Sequence, residues 1–258
     1  MDNAILNFYN GFGITPTNTH ISAGTDYYIP NIDSLDADKL KIVEEAFIKS
    51  FNITKEELEN IMVMFCEVFS TLRKTNKNIP PSKKIAKNIH NILHLYFALQ
   101  SYELENIRIA NGDINGHFIE DIYYFVENYL RFDNKYTPGI CANLNDHLFI
   151  NSGIKIALNK NDAGLYVNKS GMGNKGWDVR ACLVDEDYSG YVHLSCAFTK
   201  NTHNEKSRTI FCGDKITQMI IITVKHYIYN EIDNKTYNEL MKNSERGSDG
   251  FGSSDVKH

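Results

Sequence analysis

An acidic turn beyond the middle of the chain carries residue types that could activate a water molecule. The segment "ACLVDEDYSGYVHL" (181–194) sets Asp185, Asp187 and Tyr188 between two apolar stretches, which predicts a strand, a tight turn and a second strand. A carboxylate held on such a turn can take a proton from water as a general base. The same residues could equally cap a solvated hairpin tip, so the turn alone leaves both interpretations open.

Other polar stretches carry further candidates. Lys169, Ser170 and the backbone amides around Gly171 form a short turn that could bind an anion, although Lys169 could also be a solvated lysine at a strand end. Gln218 carries a side-chain amide that could hydrogen-bond a ligand. Asp26 could form an Asx-turn after a glycine.

The elements that would position these side chains differ along the chain. Residues 1–30 and 143–258 contain short apolar stretches broken by Gly, Asn and Asp, which is typical of β-strands. Residues 31–142 instead show apolar residues three and four apart and predict four amphipathic helices, the third of them running through residues 85–99. We interpret these helices as a small bundle inserted between two strands of a β domain.

Local signals mark particular positions on these helices. Ser34 is expected to cap the first helix, and Thr54 with Glu57 is expected to form a capping box at the second. His90 and His94 lie one turn apart and could form a metal-binding pair. Because no clear third ligand accompanies them, we interpret both as surface histidines.

The bulk composition excludes some classes of function. A net charge of −5 over 258 residues gives no reason to expect an extended nucleic-acid surface. No apolar stretch reaches membrane-spanning length, and the beginning "MDNAILNFYN" lacks the features of a signal peptide, so no membrane partner is expected. The five cysteines are odd in number and lack metal-binding spacing, which predicts reduced thiols and a cytoplasmic location. The richness in Asn, Ile and Lys hints at a viral source.

Five short stretches, in order, resemble the five motifs of the trimeric dUTPase family: "AGTDYYIP" (23–30), "NKSGMG" (168–173), "WDVRACLVDEDYSG" (177–190), "GDKITQMI" (213–220) and "RGSDGFGSSD" (246–255). The resemblance covers the β-like portion and none of the helical block. It implies a mainly β fold, with a jelly-roll core and an inserted helical bundle (α+β overall). It also implies a homotrimer with shared active sites, Mg²⁺, and hydrolysis of dUTP to dUMP and pyrophosphate. That reaction limits uracil incorporation into DNA and supplies dUMP for dTMP synthesis.

The resemblance also assigns roles to individual residues. It implies that Asp185 and Gln218 are catalytic residues and that Asp26 binds the Mg²⁺ ion via water. Tyr188 would pack on the deoxyribose ring and exclude a 2′-hydroxyl, whereas its alternative role is to cover the edge of the core. The residues expected to bind substrate are Lys169, Ser170, Gly171, Asp178, Ala181, Cys182, Leu183, Tyr188, Gln218, Arg246, Phe251, Gly252 and Ser253. The segment that contains the last four, about 244–258, is expected to be a flexible arm that closes over the nucleotide.

The sequence departs from the family pattern at two places. Arg180 and Cys182 stand where family members often have glycine, so the preference for uracil over other bases is open. Asn168 and Lys169 replace a Pro-Arg pair, and lysine keeps the positive charge but loses the bidentate geometry of arginine.

Two alternative functions remain open from the sequence. The first is a regulatory protein on a dUTPase scaffold, with a protein partner bound to the helical block. The second is a dCTP deaminase, which shares the fold and uses a Glu on the strand that leaves the hairpin. Ser195 stands at about that position, which argues against deamination.

Overall fold

The structure is a computed structural model, and it describes residues 6–18, 24–32, 35–76, 78–103, 117–181, 183–199 and 205–244. The chain divides into two compact units, Met1–Val224 and Lys225–His258. In the described part of the second unit the residues are exposed, and its helix is α7 (Asn234–Leu240). Within the described residues, no helix has an apolar stretch long enough to cross a bilayer.

The first unit combines β-strands with helices, most of which lie between β2 and β3 in the chain. The strands are β1 (Asn7–Asn10), β2 (Thr25–Tyr28), β3 (Leu130–Phe132), β4 (Pro138–Asn143), β5 (His147–Asn151), β6 (Ile154–Ala157), β7 (Asp162–Asn168), β8 (Trp177–Ala181), β9 (Leu183–Val184), β10 (His193–Phe198), β11 (Ser207–Phe211) and β12 (Lys215–Thr223). The helices are α1 (Ala37–Phe51), α2 (Lys55–Thr75), α3 (Ser82–Lys87), α4 (Ile89–Glu103), α5 (His117–Asn128) and the single turn α6 (Ser170–Gly173).

The strands of this unit pair antiparallel in small sheets with crossover connections. The strand orders are β2-β12-β7-β9, β5-β10-β8, β11-β4-β3 and β1-β6. Strands that follow one another in sequence are mostly not neighbours in these sheets, as in a jelly roll, where connections cross between two packed layers. The sheets form the predicted jelly-roll core, and the helices make the molecule α+β.

Side-chain caps explain where α1 and α2 begin, but the predicted N-cap residue of α1 needs correction. The capping box at α2 is confirmed, because the Thr54 hydroxyl accepts from the Glu57 amide and the Glu57 carboxylate accepts from the Thr54 amide. The prediction for α1 is wrong, since the N-cap is Asp36 rather than Ser34. The Asp36 carboxylate accepts from the Lys39 amide at 2.9 Å.

The predicted third helix is interrupted at Asn88, between α3 and α4. The buried Asn88 side chain donates to the carbonyls of Lys84 and Tyr136, at 2.9 and 3.3 Å. This side chain competes with the backbone for hydrogen bonds, and the helix is interrupted here although the apolar spacing continues without a break.

The helices and sheets of this unit share one hydrophobic core. Helix α4 packs on β5, and residues of both elements belong to a single buried cluster. His94 on α4 is only 3% exposed, and its Nε2 lies 2.7 Å from the Asn151 carbonyl oxygen. The interpretation of His94 as a surface histidine is therefore wrong, because the sheet covers that face of α4. His90 is half-buried, with its Nε2 3.2 Å from Glu44 Oε1.

The second block of β-strands begins before residue 143, where the sequence pattern predicted its start. Both β3 and β4 begin before residue 143; they pair with one another, and β4 also pairs with β11. The division into a β core (1–30 and 143–258) and a helical insertion (31–142) stays a prediction.

Candidate active site

The four-stranded sheet β2-β12-β7-β9 brings three of the sequence stretches side by side. Strand β12 lies between β2 and β7, so that Gln218 pairs with Asp26 on one side and with Val167 on the other. Lys169 follows β7 directly and precedes the turn α6. Asp26, Lys169 and Gln218 are far apart in the sequence, yet they lie at the same end of this sheet.

Two lysines bind the Asp26 carboxylate. Lys169 Nζ lies 3.0 Å from Asp26 Oδ1, and Lys215 Nζ lies 2.9 Å from Asp26 Oδ2. The lysine side chains are about one-third exposed, whereas the Asp26 residue is 4% exposed. Lys215 also lies over the ring of Tyr28, 5.5 Å from its centroid. Lys215 was not among the predicted site residues, because its pairing with Asp26 depends on strands far apart in sequence.

The charges around Asp26 decide how this carboxylate can be used. Burial raises the pKa of Asp26, but hydrogen bonds and charge from Lys215 and Lys169 outweigh burial and hold the pKa below its ordinary value. Asp26 is thus ionised and neutralised by two ammonium groups. Both carboxylate oxygens are engaged, so the residues do not fit the predicted Mg²⁺ ion held through water. Among the described residues, no group of three or more His, Cys, Asp or Glu could hold a metal ion.

Hydrogen bonds from the Asn168 side chain join strand β8 to the candidate anion-binding turn, residues 169–171, which we call the anion-binding turn. Its side-chain Nδ2 donates to Asp178 Oδ1 at 2.9 Å, and its Oδ1 accepts from the Val179 amide at 2.7 Å. The other oxygen of Asp178 accepts from the Thr199 hydroxyl at 3.0 Å. The Asp178 carboxylate therefore positions the turn within its own chain. The departure from the family pattern at Asn168 was the sequence signal for this contact.

Gln218 is held by close packing against a glycine. A Cβ added at Gly24 would lie 3.0 Å from Gln218 Oε1. Glycine at this position therefore lets the two segments of the chain approach without a shift of the Gln218 side chain. Gln218 Nε2 lies 3.4 Å from the Asn168 carbonyl oxygen. This places the side-chain amide beside the turn that contains Lys169.

The hairpin strands pass from one sheet to another. In β8, Ala181 pairs with Ser195 of β10, and in β9, Leu183 pairs with Leu165 of β7. Cys182, between them, lies outside the described residues. Strand β8 is an edge strand of its described sheet, so part of its backbone faces away from β10. The Leu183 side chain is exposed.

Asp185 stands at the tip of this hairpin. It is exposed, its carbonyl accepts from the Tyr188 amide at 3.2 Å, and within the described residues no side chain or backbone amide binds its carboxylate. The neighbouring Glu186 carboxylate instead accepts from the Asn161 amide. The sequence left open whether Asp187 caps the turn. The turn is closed by the backbone bond from the Tyr188 amide to the Asp185 carbonyl, and no described group binds the Asp187 carboxylate.

Tyr188 is fixed by its hydroxyl group. The hydroxyl donates to the Tyr191 carbonyl at 2.8 Å, and the residue stays 43% exposed. Burial raises the pKa of Tyr188. A Cβ at Gly190 would lie 2.5 Å from the Tyr188 hydroxyl oxygen, so this arrangement requires glycine at that position. The outward face of the ring is available to a ligand.

The hairpin tip and the anion-binding turn lie at opposite ends of β7. Val184 pairs with Gly164 near the beginning of β7, whereas Lys169 follows its last residue. The contact from Glu186 to Asn161 extends the hairpin further away from Lys169. With a rise of about 3.3 Å per residue, the strand separates Asp185 from Lys169 by about 20 Å.

A cationic cavity lies beside the anion-binding turn. It has a volume of about 420 Å³, and four of its lining residues carry a positive charge: Lys169, Lys175, Arg208 and Lys215. The one carboxylate in its described lining, Asp214, accepts from the Phe211 amide at 2.9 Å and so fixes the turn before β12. Arg208 also pairs with Glu205 at 2.6 Å. Sequence reasoning missed the cations other than Lys169, since they come from separate strands and loops.

Comparison with known proteins finds a matching family model. Residues 132–255, just under half of the chain, match the family model described as dUTPase. We call this matched segment the dUTPase domain. The matched residues include four of the five motifs, and Asp26 lies before them. In the dUTPase domain and its tail, the predicted substrate-binding residues Cys182, Arg246, Phe251, Gly252 and Ser253 lie outside the described residues.

Viral proteins are among the relatives of the dUTPase domain. The deoxyuridine 5'-triphosphate nucleotidohydrolase of cowpox virus is 25% identical over 135 residues, which cover 50% of this chain and 77% of that protein. The camelpox virus protein of the same name is 26% identical over 114 residues, covering 42% and 67%. A solved dUTPase of Staphylococcus bacteriophage 80alpha is 18% identical, with a TM-score of 0.39 over 45% of this chain and 80% of that chain.

Proposed function

We propose that this chain hydrolyses dUTP to dUMP and pyrophosphate, as a homotrimer whose active sites are shared between subunits. One observation carries the proposal. Within one dUTPase-family chain, a cationic cavity lies at one end of β7 and an unengaged carboxylate, that of Asp185, lies about 20 Å away at the other end. Both are needed at one phosphate chain, so they must come from different subunits.

The cationic cavity would bind the triphosphate. Its four positive side chains can neutralise the charge on the phosphates, and ammonium and guanidinium donors form charge-assisted hydrogen bonds to phosphate oxygens. The amides at the beginning of α6 add backbone donors near Ser170 and Gly171. Since Lys169 and Lys215 also bind Asp26, that carboxylate fixes the positions of both ammonium groups before the substrate arrives.

Asp185 of a neighbouring subunit would act as the general base. Its carboxylate accepts a proton from a water molecule while the water oxygen forms a bond to the α-phosphorus. The bond from the α-phosphorus to the bridging oxygen breaks, and pyrophosphate leaves with that electron pair. Gln218, beside the anion-binding turn, would hydrogen-bond a phosphate oxygen or orient the water. We derive no step through Mg²⁺, because the described residues do not supply a site for it.

The hairpin would recognise the nucleoside. Backbone groups on the open side of the edge strand β8 can form hydrogen bonds to the uracil edge. The exposed ring of Tyr188 would pack on the deoxyribose, leaving no space for a 2′-hydroxyl. Phe251 from the tail would stack on the base, with Arg246, Gly252 and Ser253 near the γ-phosphate. This activity would limit uracil incorporation into DNA and supply dUMP, in the cytoplasm.

The first experiment measures the substrate. Pyrophosphate release is followed with dUTP, dCTP, dTTP and UTP, each with and without Mg²⁺. We expect release from dUTP with little from UTP. Ammonia release from dCTP would instead indicate the deaminase. The structure offers no support for that alternative, because Ser195 is buried and its hydroxyl lies 2.7 Å from His147 Nε2.

The second experiment tests whether the sites are shared. Asp185→Asn and Lys169→Met chains are unfolded, mixed and refolded together. If each site takes Asp185 and Lys169 from different subunits, about a quarter of the sites in randomly mixed trimers have both native residues, so activity returns. If each site lies within one chain, every site keeps one altered residue and the mixture stays inactive.

A further inference from the structure

A network of polar groups joins the anion-binding turn to strand β8 and to the segment after β10. Asn168 is the last residue of β7 and lies directly before the turn. Its Nδ2 donates to Asp178 Oδ1 at 2.9 Å, and its Oδ1 accepts from the Val179 amide at 2.7 Å. The Thr199 hydroxyl donates to Asp178 Oδ2 at 3.0 Å. We call these four residues the Asn168 network.

The partners of Asn168 specify one orientation of its side-chain amide. A carboxylate accepts hydrogen bonds, so Asp178 binds the amide nitrogen, whereas the Val179 N–H donates and binds the amide oxygen. An amide turned over by 180° would lose both bonds. Both oxygens of Asp178 are bound by the protein as well, one by Asn168 and the other by Thr199. The Asp178 carboxylate therefore holds the Asn168 side chain in place.

Asn168 makes this connection where backbone pairing does not. Among the described residues, β7 and β8 belong to different sheets. The backbone of Asn168 pairs with Thr217 of β12, while its side chain reaches β8 across the gap between the sheets. The chain is thus held from two sides just before it enters the turn. A proline at this position, as in the family pattern, could make neither side-chain bond, because it has no side-chain donor or acceptor.

The turn that follows Asn168 lines the cationic cavity. Lys169 and Gly171 belong to the described lining, and Asn168 does not. A turn that is already fixed in the free chain loses less conformational freedom when an anion binds to it. The bonds of Asn168 can therefore contribute to anion affinity although this side chain stands outside the cavity.

We propose that Asn168 is a positioning residue for phosphate binding, which holds Lys169 and Gly171 at the cationic cavity through its bonds to Asp178 and Val179. The inference rests on the proposed function, which assigns the triphosphate to this cavity. It also gives Asp178 a role within the protein, in place of the substrate contact that the sequence predicted.

The test measures the affinity of the full chain for inorganic triphosphate by calorimetry. This probe has no base or sugar, so it reports on the phosphate site alone. Asn168→Ala removes both side-chain bonds without a change of charge, and we expect about fivefold weaker binding, which corresponds to about 1 kcal/mol. Asn174→Ala is the control, since Asn174 is exposed, directly follows α6 and is not among the described lining residues. Equal affinity in the native chain and Asn168→Ala, or no binding to the native chain, overturns the proposal.

An exchange of the two side chains separates positioning from folding. In the double variant Asn168→Asp with Asp178→Asn, the amide at position 178 can donate to the carboxylate at position 168, so the connection forms in the reverse direction. We expect its triphosphate affinity to lie within about twofold of the native value, whereas Asn168→Asp alone sets two carboxylates against each other and binds at least about fivefold more weakly. Thermal unfolding checks that each variant folds. A folded double variant that binds as weakly as Asn168→Asp overturns the proposal.

Pyrophosphate release from dUTP by the native chain is measured separately. If triphosphate affinity depends on Asn168 but no pyrophosphate is released, the proposed function is wrong and the positioning role stands. If dUTP is hydrolysed but Asn168→Ala binds triphosphate like the native chain, only the positioning role is wrong.

Discussion

The anion-binding end and the hairpin tip differ in how many partners their charged side chains find within their own chain. At the anion-binding end, Asp26 binds two lysines, and the Asn168 side chain bonds to Asp178 and to a β8 amide. At the hairpin tip, no described group binds the Asp185 carboxylate.

The two regions therefore represent side chains that are already positioned in the free chain and a side chain that is not. In the proposed reaction the lysines would be positioned before substrate arrives, so less side-chain freedom would be lost when phosphate binds. The Asp185 carboxylate is exposed, and it would become oriented only when another subunit and the substrate surround it. Substitutions at the first region should therefore change both stability and activity, whereas substitutions at the second should change activity alone.

The largest effect is expected for Asp185→Asn. Removal of a general base typically lowers kcat by about 10²–10⁴-fold. The thermal unfolding midpoint should not change, because the native carboxylate has no partner in the described chain. Pyrophosphate release from dUTP and calorimetry measure the two quantities. Asp187→Asn is the control, and an equal loss of turnover in that variant would remove the distinction between the two aspartates.

A smaller loss is expected for Lys169→Met, which keeps the length of the side chain. A hydrogen bond to a charged group contributes about 1.5–3 kcal/mol, so kcat/KM should fall by about 10- to 100-fold. Steady-state kinetics with dUTP checks this, and Lys49→Met, at an exposed position on α1 outside the cationic cavity, is the control. Unchanged kcat/KM would show that Lys169 is only a structural partner of Asp26.

For Asp26→Asn we expect a loss of stability that depends on pH. The variant should be less stable by about 1–2 kcal/mol at neutral pH, because the two lysines lose their shared charged partner but stay partly hydrated. The pKa of Asp26 is lowered in the folded chain, so its contribution is fully present above its ordinary value of 3.8 and is lost as the pH falls through the folded value.

Denaturant unfolding at several pH values checks this prediction. The curves of the native chain and of Asp26→Asn should converge below about pH 4. The Mg²⁺ concentration that gives half-maximal turnover should be the same for both, since Asp26 is occupied by lysines. A large shift in that concentration would restore Asp26 as a ligand of the ion.

The smallest effect is expected for Tyr188→Phe. The ring that packs on the sugar remains, and only the hydroxyl bond to the Tyr191 carbonyl is lost, which costs about 0.5–1.5 kcal/mol of stability. The ratio of kcat/KM for dUTP and UTP should stay within about threefold of the native value, which corresponds to less than about 1 kcal/mol. Tyr188→Ala, in contrast, should lose discrimination against UTP.

Much of the fold follows from short-range signals in the sequence. The capping box at Thr54 and Glu57 depends on residues three apart, and strands such as β10 and β12 follow from apolar stretches. Asn88 shows the limit of such signals. Its side chain breaks the helix by bonding to a carbonyl at Tyr136, which is far away in sequence.

Motif order assigned Asp26, Lys169 and Gln218 to one active site, and the sheet brings these residues side by side, while their roles stay predictions. Residues that depend on pairing between distant strands were missed. Lys215 and Arg208 were missed, because their charges enter the cationic cavity only once β11 and β12 have paired with other strands. His94 was misjudged for the same reason, since only the packing of α4 on β5 buries it.

That packing has a consequence for how the molecule unfolds. Leu148 and Ile150 of β5 are fully shielded from water, and α4 closes over this strand with a bond from His94 to its last residue. If either α4 or β5 unfolded first, the buried side chains of the other would be exposed to water. The helical and sheet signals in the circular dichroism of Met1–Val224 should therefore be lost at the same denaturant concentration, as one cooperative transition.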